Sequence, residues 1–378
     1  MDAVAKAEAL GAVFPKSKLH LRASDYLGHS SCRIGIACSG GADSVAALLL
    51  VYHHFPQMRD RMTVLHFNHQ LRGLASEEDA SYVNALAEDL ELPIKCGAWS
   101  DRDPTKKVSE ADAREARHAF FDAFVTTQGN AIVVTGHQQQ DILESMLLRI
   151  ARASDLPGLI APRPVSEFPN GKVMVRPLLC LNKTQLLAGL TACQVEWKED
   201  PSNQESLFDR NRLRNDIIPA WQEATQFDLS DASSTVRDFL EDADEALEHF
   251  LSQASFPPGS ENPARVPKEY QPRALIRRWL LRWLDQQGLG GICQRSMIEE
   301  LVSTIMTREH KQWSAGTGYI RIHQGEITFL EAIESVAASW EEFRICPGQT
   351  VALPEGRTLS CDWHDASPNL LTDLKNGK

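Results

Sequence analysis

The sequence predicts an α/β protein: a doubly wound, Rossmann-like parallel sheet, followed by a smaller helical domain and a short β-rich C-terminal part. Short apolar runs that suit buried strands recur through residues 1–222, and helix-length segments with apolar positions every three or four residues follow most of them. Residues 223–310 carry the helical pattern, and residues 311–378 begin with alternation typical of hairpin strands. These three segments are the predicted domains.

Composition sets the broad class of the protein. The chain has 378 residues, 43% of them hydrophobic, which is enough for two or three domains with cores of their own. The longest uncharged apolar run, Val45 to Tyr52, is too short to span a bilayer, and residues 1–30 lack a signal-peptide core. We therefore expect a cytoplasmic protein with no membrane partner. The eight cysteines form no CxxC pair, so neither a zinc ribbon nor a disulfide framework is indicated.

Charge is strongly segregated along the chain. The net charge of −12 argues against a nucleic-acid partner, because binding to a polyanion needs basic surface. Residues 223–248, however, hold nine acidic side chains against one arginine, and residues 265–282 hold six basic side chains against one glutamate. The basic segment could therefore face an RNA backbone.

Residues 33–54 predict a buried strand, a glycine turn and a helix. The apolar run from Ile34 to Ala37 is as short as an inner strand of a parallel sheet, and a pair of glycines then breaks it. Glycines let backbone amides approach an anion, and the helix that follows directs its free N–H groups at the same turn. This layout predicts a phosphate-binding loop made of Ser39, Gly40, Gly41, Ala42, Asp43 and Ser44.

Asp43 distinguishes this loop from an ordinary P-loop, in which a lysine and a serine or threonine follow the last glycine. A carboxylate beside phosphates is typical of a magnesium site, because Mg²⁺ prefers carboxylate, water and phosphate oxygens. Asp43 is therefore a predicted metal ligand. A tight turn in an unrelated doubly wound protein is the alternative interpretation of this glycine and serine pattern.

The remaining elements of the predicted sheet alternate in the same way. Helix 76–92 is expected to begin with a capping box formed by Ser76 and Asp79. Further strands are predicted at 62–67, 93–99, 131–134 and 173–179, and further helices at 109–125, after residue 137, and at 183–193.

Acidic side chains are predicted at the edge of the sheet that carries the glycine loop. The strand at 131–134 delivers His137 to this edge. In the next helix, Asp141 and Glu144 lie three residues apart near the start, on the polar side opposite the predicted core positions Leu143, Met146, Leu147 and Ile150. The carboxyl ends of parallel strands share one edge, so these groups should lie near Asp43. Two acids beside a phosphate loop predict a magnesium site, with Asp43 and Asp141 as its ligands.

Arginines are the other candidate site residues. Arg114 shares a helical face with Arg117 in the helix at 109–125, and Arg210, Arg212 and Arg214 form a compact set of donors suited to phosphate. An arginine set of this kind is also common on a solvated helix face. Its position at the end of the α/β segment favours a substrate clamp.

Taken together, these landmarks resemble one family closely, the tRNA(Ile)-lysidine synthetases, which belong to the N-type ATP pyrophosphatases of the PP-loop superfamily. The resemblance covers roughly residues 30–222. It rests on SGGADS (39–44), HFNHQLRG (66–73), EADAREARHAFF (110–121), GHQQQDILES (136–145), VRPLL (175–179) and, within 197–219, WKEDPSN and RNRLRNDIIP.

The resemblance implies a function. Family members attach L-lysine to the wobble cytidine of a tRNA(Ile) with a CAU anticodon, through an adenylated cytidine, with ATP and Mg²⁺ and with release of AMP and pyrophosphate. The partners implied are therefore that tRNA and free lysine, and the oligomeric state stays open, a dimer being one option. Gln140 stands where the family motif GHxxDDxxET has its first aspartate, and Ser145 replaces its threonine.

The resemblance also implies residue roles. Residues 39–44 would bind ATP, and Asp141, Glu144 and Glu110 are carboxylates that could face the amine of lysine. The catalytic set is Asp43, Arg114, His137, Asp141 and Glu144. The predicted tRNA-binding set combines Arg210, Arg212 and Arg214, which lie in the segment that resembles the family, with Arg277 and Arg278, which are included because they lie in the basic segment 265–282.

Three other functions share part of this pattern. One is a small-molecule amidotransferase or synthetase of the same superfamily, which would lack the arginine block of residues 197–219. A tRNA thiolation enzyme carries the same glycine loop, but such enzymes typically need catalytic cysteines, and no cysteine closely follows the 136–145 motif. A non-catalytic nucleotide-binding or RNA-binding homologue would fit the change at Gln140. Retention of Asp43, Asp141 and Glu144 favours an enzyme.

Overall fold

A computed structural model describes residues 1–70, 74–99, 109–199, 209–253, 262–265, 272–331, 348–352 and 358–361. The chain divides into two compact units, Met1–Phe250 and Leu251–Lys378. None of the helices in the described ranges is long and apolar enough to cross a membrane.

The first unit alternates strands and helices, as the sequence predicts. Its strands are β1 (Arg33–Ala37), β2 (Met62–Asn68), β3 (Ile94–Ala98), β4 (Ala131–Val134), β5 (Val165–Glu167) and β6 (Val173–Val175). Its helices are α1 (Ala3–Val13), α2 (Leu21–His29), α3 (Ala42–His54), α4 (Leu74–Asp89), α5 (Glu110–Gln128), α6 (Gln139–Ala151), α7 (Leu156–Leu159), α8 (Lys183–Ala192), α9 (Asp209–Arg212), α10 (Ile218–Ala224) and α11 (Leu229–Gln253). A π-helical turn, Leu213–Ile217, joins α9 to α10.

The sheet has the strand order β3-β2-β1-β4-β6-β5. The strands β1, β2, β3, β4 and β6 are parallel, with Ile34 beside both Met62 of β2 and Ile132 of β4. The strand order reverses on either side of β1, and ligands bind at such a switch point, outside the carboxyl ends of the strands. The predicted doubly wound parallel sheet is therefore confirmed, and its crevice lies after β1 and β4.

Two local predictions differ from the structure. The sequence does not predict β5, a three-residue edge strand that pairs antiparallel with β6, because so short a segment carries no periodic signal. The capping box at Ser76 is wrong, because α4 begins at Leu74 and Ser76 lies inside its first turn.

Helix α3 anchors the glycine loop because it is buried on nearly every side. The residues from Val45 to Tyr52 are all buried, and α3 contacts α1, α8 and β1. A helix that is apolar all round can be stable only in a protein interior, where its burial offsets the lost backbone entropy. The loop at its N-terminus is therefore held on a rigid element.

Helix α11 buries a polar face against the first unit. Arg237 is 1% exposed and pairs with Glu241, while Asp244 pairs with Arg163 at 2.6 Å between Oδ2 and Nη2. Arg22 of α2 pairs with Glu245. The sequence places this acidic helix in the second domain, but its ion pairs join it to the first unit as far as Phe250.

The second unit is a small α+β structure. Its helices are α12 (Arg273–Gln286) and α13 (Arg295–Thr307), and its antiparallel sheet has the order β7-β10-β9-β8. These strands are β7 (Ala264–Arg265), β8 (Lys311–Ala315), β9 (Gly318–His323) and β10 (Glu326–Glu331), and a separate hairpin pairs β11 (Gln349–Ala352) with β12 (Thr358–Cys361). Trp279, Leu280, Trp283 and Leu284 form the buried face of α12. The hairpin strands predicted after residue 311 are confirmed.

Candidate active site

The glycine loop closes around its own hydroxyl groups. The Ser39 amide donates to Ser44 Oγ at 3.1 Å, and Ser44 Oγ donates to the Gly41 carbonyl at 2.9 Å. Gly40 has a φ of +91°, a backbone conformation that favours glycine. The Lys198 amide donates to the Gly40 carbonyl at 2.8 Å, so the WKEDPSN segment supports the loop from outside. Helix α3 starts at Ala42, and its free N–H groups face this turn, which suits an anion.

Asp43 lies in the first turn of α3, and its carboxylate has a cationic partner. The Lys183 ammonium, at the start of α8, donates to Asp43 Oδ1 at 2.7 Å. The pKa of Asp43 is raised, mainly because burial disfavours the charged form; Lys183 lowers it and the nearby charge of Asp141 raises it. The carboxylates of Asp43 and Asp141 are therefore close enough for the charge of one to affect the other.

Gly136, after β4, joins the acidic turn to the glycine loop. A Cβ at this position would lie 2.4 Å from the Asp43 carbonyl oxygen and 2.9 Å from the Ser44 amide nitrogen. These are backbone atoms and cannot swing away. The two strand ends therefore touch, and the expected meeting of the 39–44 and 136–145 segments is found.

The carboxylate of Glu144 is buried and paired on both of its oxygens. Its side chain has no exposed surface, and it receives Arg210 Nε at 2.6 Å and Arg214 Nε and Nη2 at 2.6 and 2.9 Å. The sequence places Glu144 on the polar side of α6, away from the core, and this expectation is wrong because the two arginines enclose it. A buried carboxylate needs such partners, since an unpaired buried charge is costly.

Asp141 is also held on both of its oxygens. Its Oδ2 accepts from the Gln138 backbone amide at 2.9 Å at the start of α6, and its Oδ1 accepts from Arg210 Nη2 at 2.6 Å.

The orientation of α6 differs from the predicted one. Ile150, predicted on the core side of this helix, is 58% exposed. Helix α6 is thus rotated so that Ile142 and Glu144 face inward.

His137 and Arg114 line a cavity of about 710 Å³ beside these acids. His137 Nδ1 lies 2.8 Å from Thr135 Oγ1, and the pKa of His137 is well below its usual value because of burial and then the charge of Arg176. The imidazole is therefore neutral near pH 7. Arg114 reaches the same cavity from α5.

The predicted tRNA-binding arginines occupy four different environments. Arg210 and Arg214 are paired with acids of α6, whereas Arg212 is exposed. In the second unit, Arg277 donates two hydrogen bonds to Glu299. Hydrogen bonds from Arg277 and Arg273 lower the pKa of Glu299 to about 2. Arg278 is only 8% exposed.

Sequence reasoning missed two residues that the structure places at the site. Lys183 contacts Asp43, and Arg176 of the VRPLL segment lines the cavity with His137. Both follow β6, so their position at the carboxyl edge of the sheet was the available signal. Residues 71–73 and 200–208, and the side chain of Glu110, lie outside the described residues.

Cys38 is the cysteine adjoining the loop, at the end of β1. It is buried, and burial raises the pKa of its thiol to about 11. A thiol of this kind stays protonated near neutral pH and is a poor nucleophile.

Comparison with known proteins identifies the family. The model of the PP-loop domain, an ATP-binding family, matches residues 15–221 and supports the use of ATP by this chain. The tRNA(Ile)-lysidine synthase of Rhodopseudomonas palustris is 33% identical over 285 residues, which cover 72% of this chain and 80% of that protein. The tRNA(Ile)-lysidine synthase of Geobacter sulfurreducens is 37% identical over 195 residues, which cover 50% of this chain and 40% of that protein.

The length of the relatives differs. In Symbiobacterium thermophilum the tRNA(Ile)-lysidine synthase is 31% identical over 224 residues, which cover 59% of this chain and 46% of that protein. The chain thus spans less than half the length of the Geobacter and Symbiobacterium relatives. On the match to residues 15–221 and the extended match to the Rhodopseudomonas protein, this chain belongs to the tRNA(Ile)-lysidine synthase family of PP-loop proteins.

Proposed function

We propose that this chain joins free L-lysine to the wobble cytidine of a tRNA(Ile) with a CAU anticodon, with cleavage of ATP to AMP and pyrophosphate. One observation carries the proposal. The anion-binding loop at 39–44 and the acidic turn of α6 meet through Gly136, and the cavity lined by Arg114 and His137 opens beside them. Phosphate, metal and base-binding groups therefore converge at the sheet edge where doubly wound proteins bind ligands.

The residues present fit a magnesium ion. Mg²⁺ is usually held by one or two carboxylates, substrate phosphates and water, and Asp43 and Asp141 supply two carboxylates within electrostatic range of each other. No group of three or more His, Cys, Asp or Glu side chains that could hold a metal occurs among the described residues, so phosphate oxygens would complete the site. When bound, the ion would neutralise charge on the phosphates of ATP.

In the first step, the O2 atom of cytosine attacks the α-phosphorus of ATP, an O–P bond forms, and pyrophosphate leaves as the bond from the α-phosphorus breaks. The backbone amides of the loop hold the phosphates. Arg114 stabilises the negative charge that grows on the α-phosphoryl oxygens. His137, neutral at this pH, offers Nε2 to the base because Nδ1 is engaged by Thr135.

In the second step, the ε-amine of lysine attacks C2 of the activated cytosine, and AMP leaves with the oxygen. The amine must be uncharged to attack and must lose a proton afterwards. Asp141 is the proposed acceptor of this proton, because one backbone amide and only one guanidinium, that of Arg210, hold it. Glu144 acts as a positioning residue, because Arg210 and Arg214 occupy both of its oxygens.

Binding of tRNA is proposed for the arginines predicted from the sequence. In the Arg210, Arg212 and Arg214 set, Arg212 supports phosphate contact best because it is exposed. At α12, Arg277 would have to share its guanidinium between Glu299 and a phosphate, while the buried Arg278 supports the helix instead. A cytoplasmic location follows from the proposed substrate and stays a prediction.

The test is a reaction with purified chain, ATP, magnesium, lysine and a tRNA(Ile) transcript with a CAU anticodon. We expect AMP, and label from radioactive lysine in the RNA, with no modification when lysine is omitted. Ornithine should substitute poorly because its amine reaches one methylene less far. Sulfur incorporation, or no incorporation of any label into an intact cognate tRNA, would contradict the proposal.

A further inference from the structure

The cavity beside the acidic turn is lined by an unusual number of arginines. It has a volume of about 710 Å³, within the range of ligand-binding pockets. Six arginines from separate parts of the first unit line it, although the whole chain carries a net charge of −12. They are Arg22, Arg114, Arg149, Arg163, Arg176 and Arg210.

Several of these arginines are already balanced by acids. Arg22 pairs with Glu241 and Glu245 of α11, and Arg163 pairs with Asp244 of the same helix. Arg210 pairs with both acids of α6. The acidic helix thus neutralises one side of the cavity.

Arg176 has no such balance. Its side chain is 4% exposed, and its Nη1 donates only to neutral acceptors, the Arg163 carbonyl at 2.6 Å and Ser166 Oγ at 2.8 Å. Its Nε is buried and has no hydrogen-bond partner. Burial, and then the charge of Arg114, lowers the pKa of Arg176 to about 10, although the charge of Asp141 raises it. A buried guanidinium without a carboxylate is costly, and an anion in the cavity would remove that cost.

Arg149 is the second unbalanced cation. It projects from the last turn of α6 into the cavity and, among the described residues, makes no side-chain hydrogen bond or ion pair. Burial and the charge of neighbouring Arg152 lower the pKa of Arg149, whereas the charge of Asp155, which forms no ion pair with it, raises that pKa. Two arginines on different elements, neither of them in an ion pair among the described residues, therefore line one cavity.

We propose that Arg149 and Arg176 bind a backbone phosphate of single-stranded RNA adjacent to the nucleotide that reacts. This inference rests on the proposed function. Guanidinium groups match phosphate oxygens with paired N–H donors. Pro162, Pro164 and Phe168 also line this cavity, and an aromatic ring such as that of Phe168 can stack on the base of an unstacked nucleotide.

A phosphate explains the cavity better than the carboxylate of lysine does. One amino-acid carboxylate needs one guanidinium, whereas the cavity combines two unbalanced cations with apolar side chains. The carboxylate of lysine is nevertheless the rival occupant. Its presence there would change the KM for lysine and leave the salt dependence of RNA binding unaltered.

The test compares Arg149→Gln with Arg152→Gln by filter binding of the tRNA(Ile) transcript across a salt series. Arg152 lies three residues further along the chain, is exposed and does not line the cavity, so it is a matched control for lost surface charge. Each lost phosphate contact lowers the slope of log K against log salt by about 0.7 to 1. We expect this loss for Arg149→Gln and a smaller change for Arg152→Gln.

Three results are informative. An equal change in slope for both variants, or a raised KM for lysine with an unchanged slope, would overturn the phosphate site. If wild-type protein forms AMP with the transcript while the slope of Arg149→Gln equals that of wild type, the phosphate site is wrong and the proposed function stands. If the slope falls as expected for Arg149→Gln but the wild-type protein incorporates no lysine, the phosphate site stands and the proposed function is wrong. Arg149 is chosen because Arg176 is buried and its variants risk unfolding.

Discussion

Replacing Glu144 with glutamine should destabilise helix α6. The change removes the negative charge that two guanidiniums share and puts an amide group, itself a donor, against one of them. Three N–H···O contacts of 2.6, 2.6 and 2.9 Å converge on this fully buried side chain. Removing one partner of a buried ion pair typically costs about 3–5 kcal/mol, because the opposite charge stays buried without compensation.

Hydrogen exchange of the amides in Gln139–Ala151 measures this cost where it arises. A loss of about 3–5 kcal/mol in the free energy of opening accelerates exchange by roughly a hundredfold to several thousandfold. Glu88→Gln, at an exposed position of α4, is the control and should change exchange in α6 little. Acceleration of less than tenfold for Glu144→Gln would refute the reasoning that this carboxylate holds the arginines.

A triple variant separates the charge effect from a simple change of shape. Replacing Glu144, Arg210 and Arg214 together by methionine leaves no charge inside this buried cluster, and apolar replacement of a buried ion pair is often neutral or stabilising. Asp141 loses its bond from Arg210 but keeps the bond from the Gln138 amide. Exchange in α6 should then return close to that of wild type, although catalysis should be lost. If the triple variant is less protected than Glu144→Gln, packing rather than charge dominates the site.

Three further outcomes are expected. Asp43→Asn should abolish AMP formation while the circular dichroism spectrum is preserved, because the amide cannot hold the proposed metal; full turnover would remove Asp43 from the site. Gly136→Ala should weaken ATP binding at least tenfold, since its Cβ would press within 3 Å of the backbone of Asp43 and Ser44, and unchanged binding would show that the loop can move. His20 accepts from Arg237 at 3.2 Å, and burial holds its pKa at about 4. The unfolded chain therefore binds a proton that the folded chain excludes as pH falls from 6.5 towards 4, and stability should decline by at most about 1.4 kcal/mol per pH unit. Urea unfolding of His20→Gln should show a shallower decline, and an equal decline would contradict the role of His20.

The sequence predicts the parts of the site that depend on local pattern. The loop around Gly40 follows from a strand, a glycine pair and a helix start, and the position of Asp141 follows from a strand end. Partnerships between distant residues are different, because only tertiary packing decides them. Nothing in the order of residues shows that Glu144 lies under arginines some seventy residues later, or that Lys183 pairs with Asp43.

Helix α11 is a second case in which the sequence pattern does not predict tertiary contacts. Its sequence is amphipathic, and the usual expectation is that the apolar side faces inward. In the structure, Arg237 and Asp244 are buried, while Phe239 and Phe250 are 69% and 60% exposed. The inward face is polar because Arg22 and Arg163 pack against it. The periodicity of one helix does not predict the charge of the residues that pack against that helix.

The close approach at Gly136 also bears on timing within the reaction. The acidic turn and the phosphate loop touch through backbone atoms, and both extend from β1 and β4, which are adjacent in one ladder from Arg33–Ala131 to Ile36–Val134. Neither can shift relative to the other unless the centre of the sheet opens. In the proposed two-step reaction, this part of the protein therefore stays rigid. The order in which pyrophosphate leaves and the amine arrives must then depend on movements of the substrates.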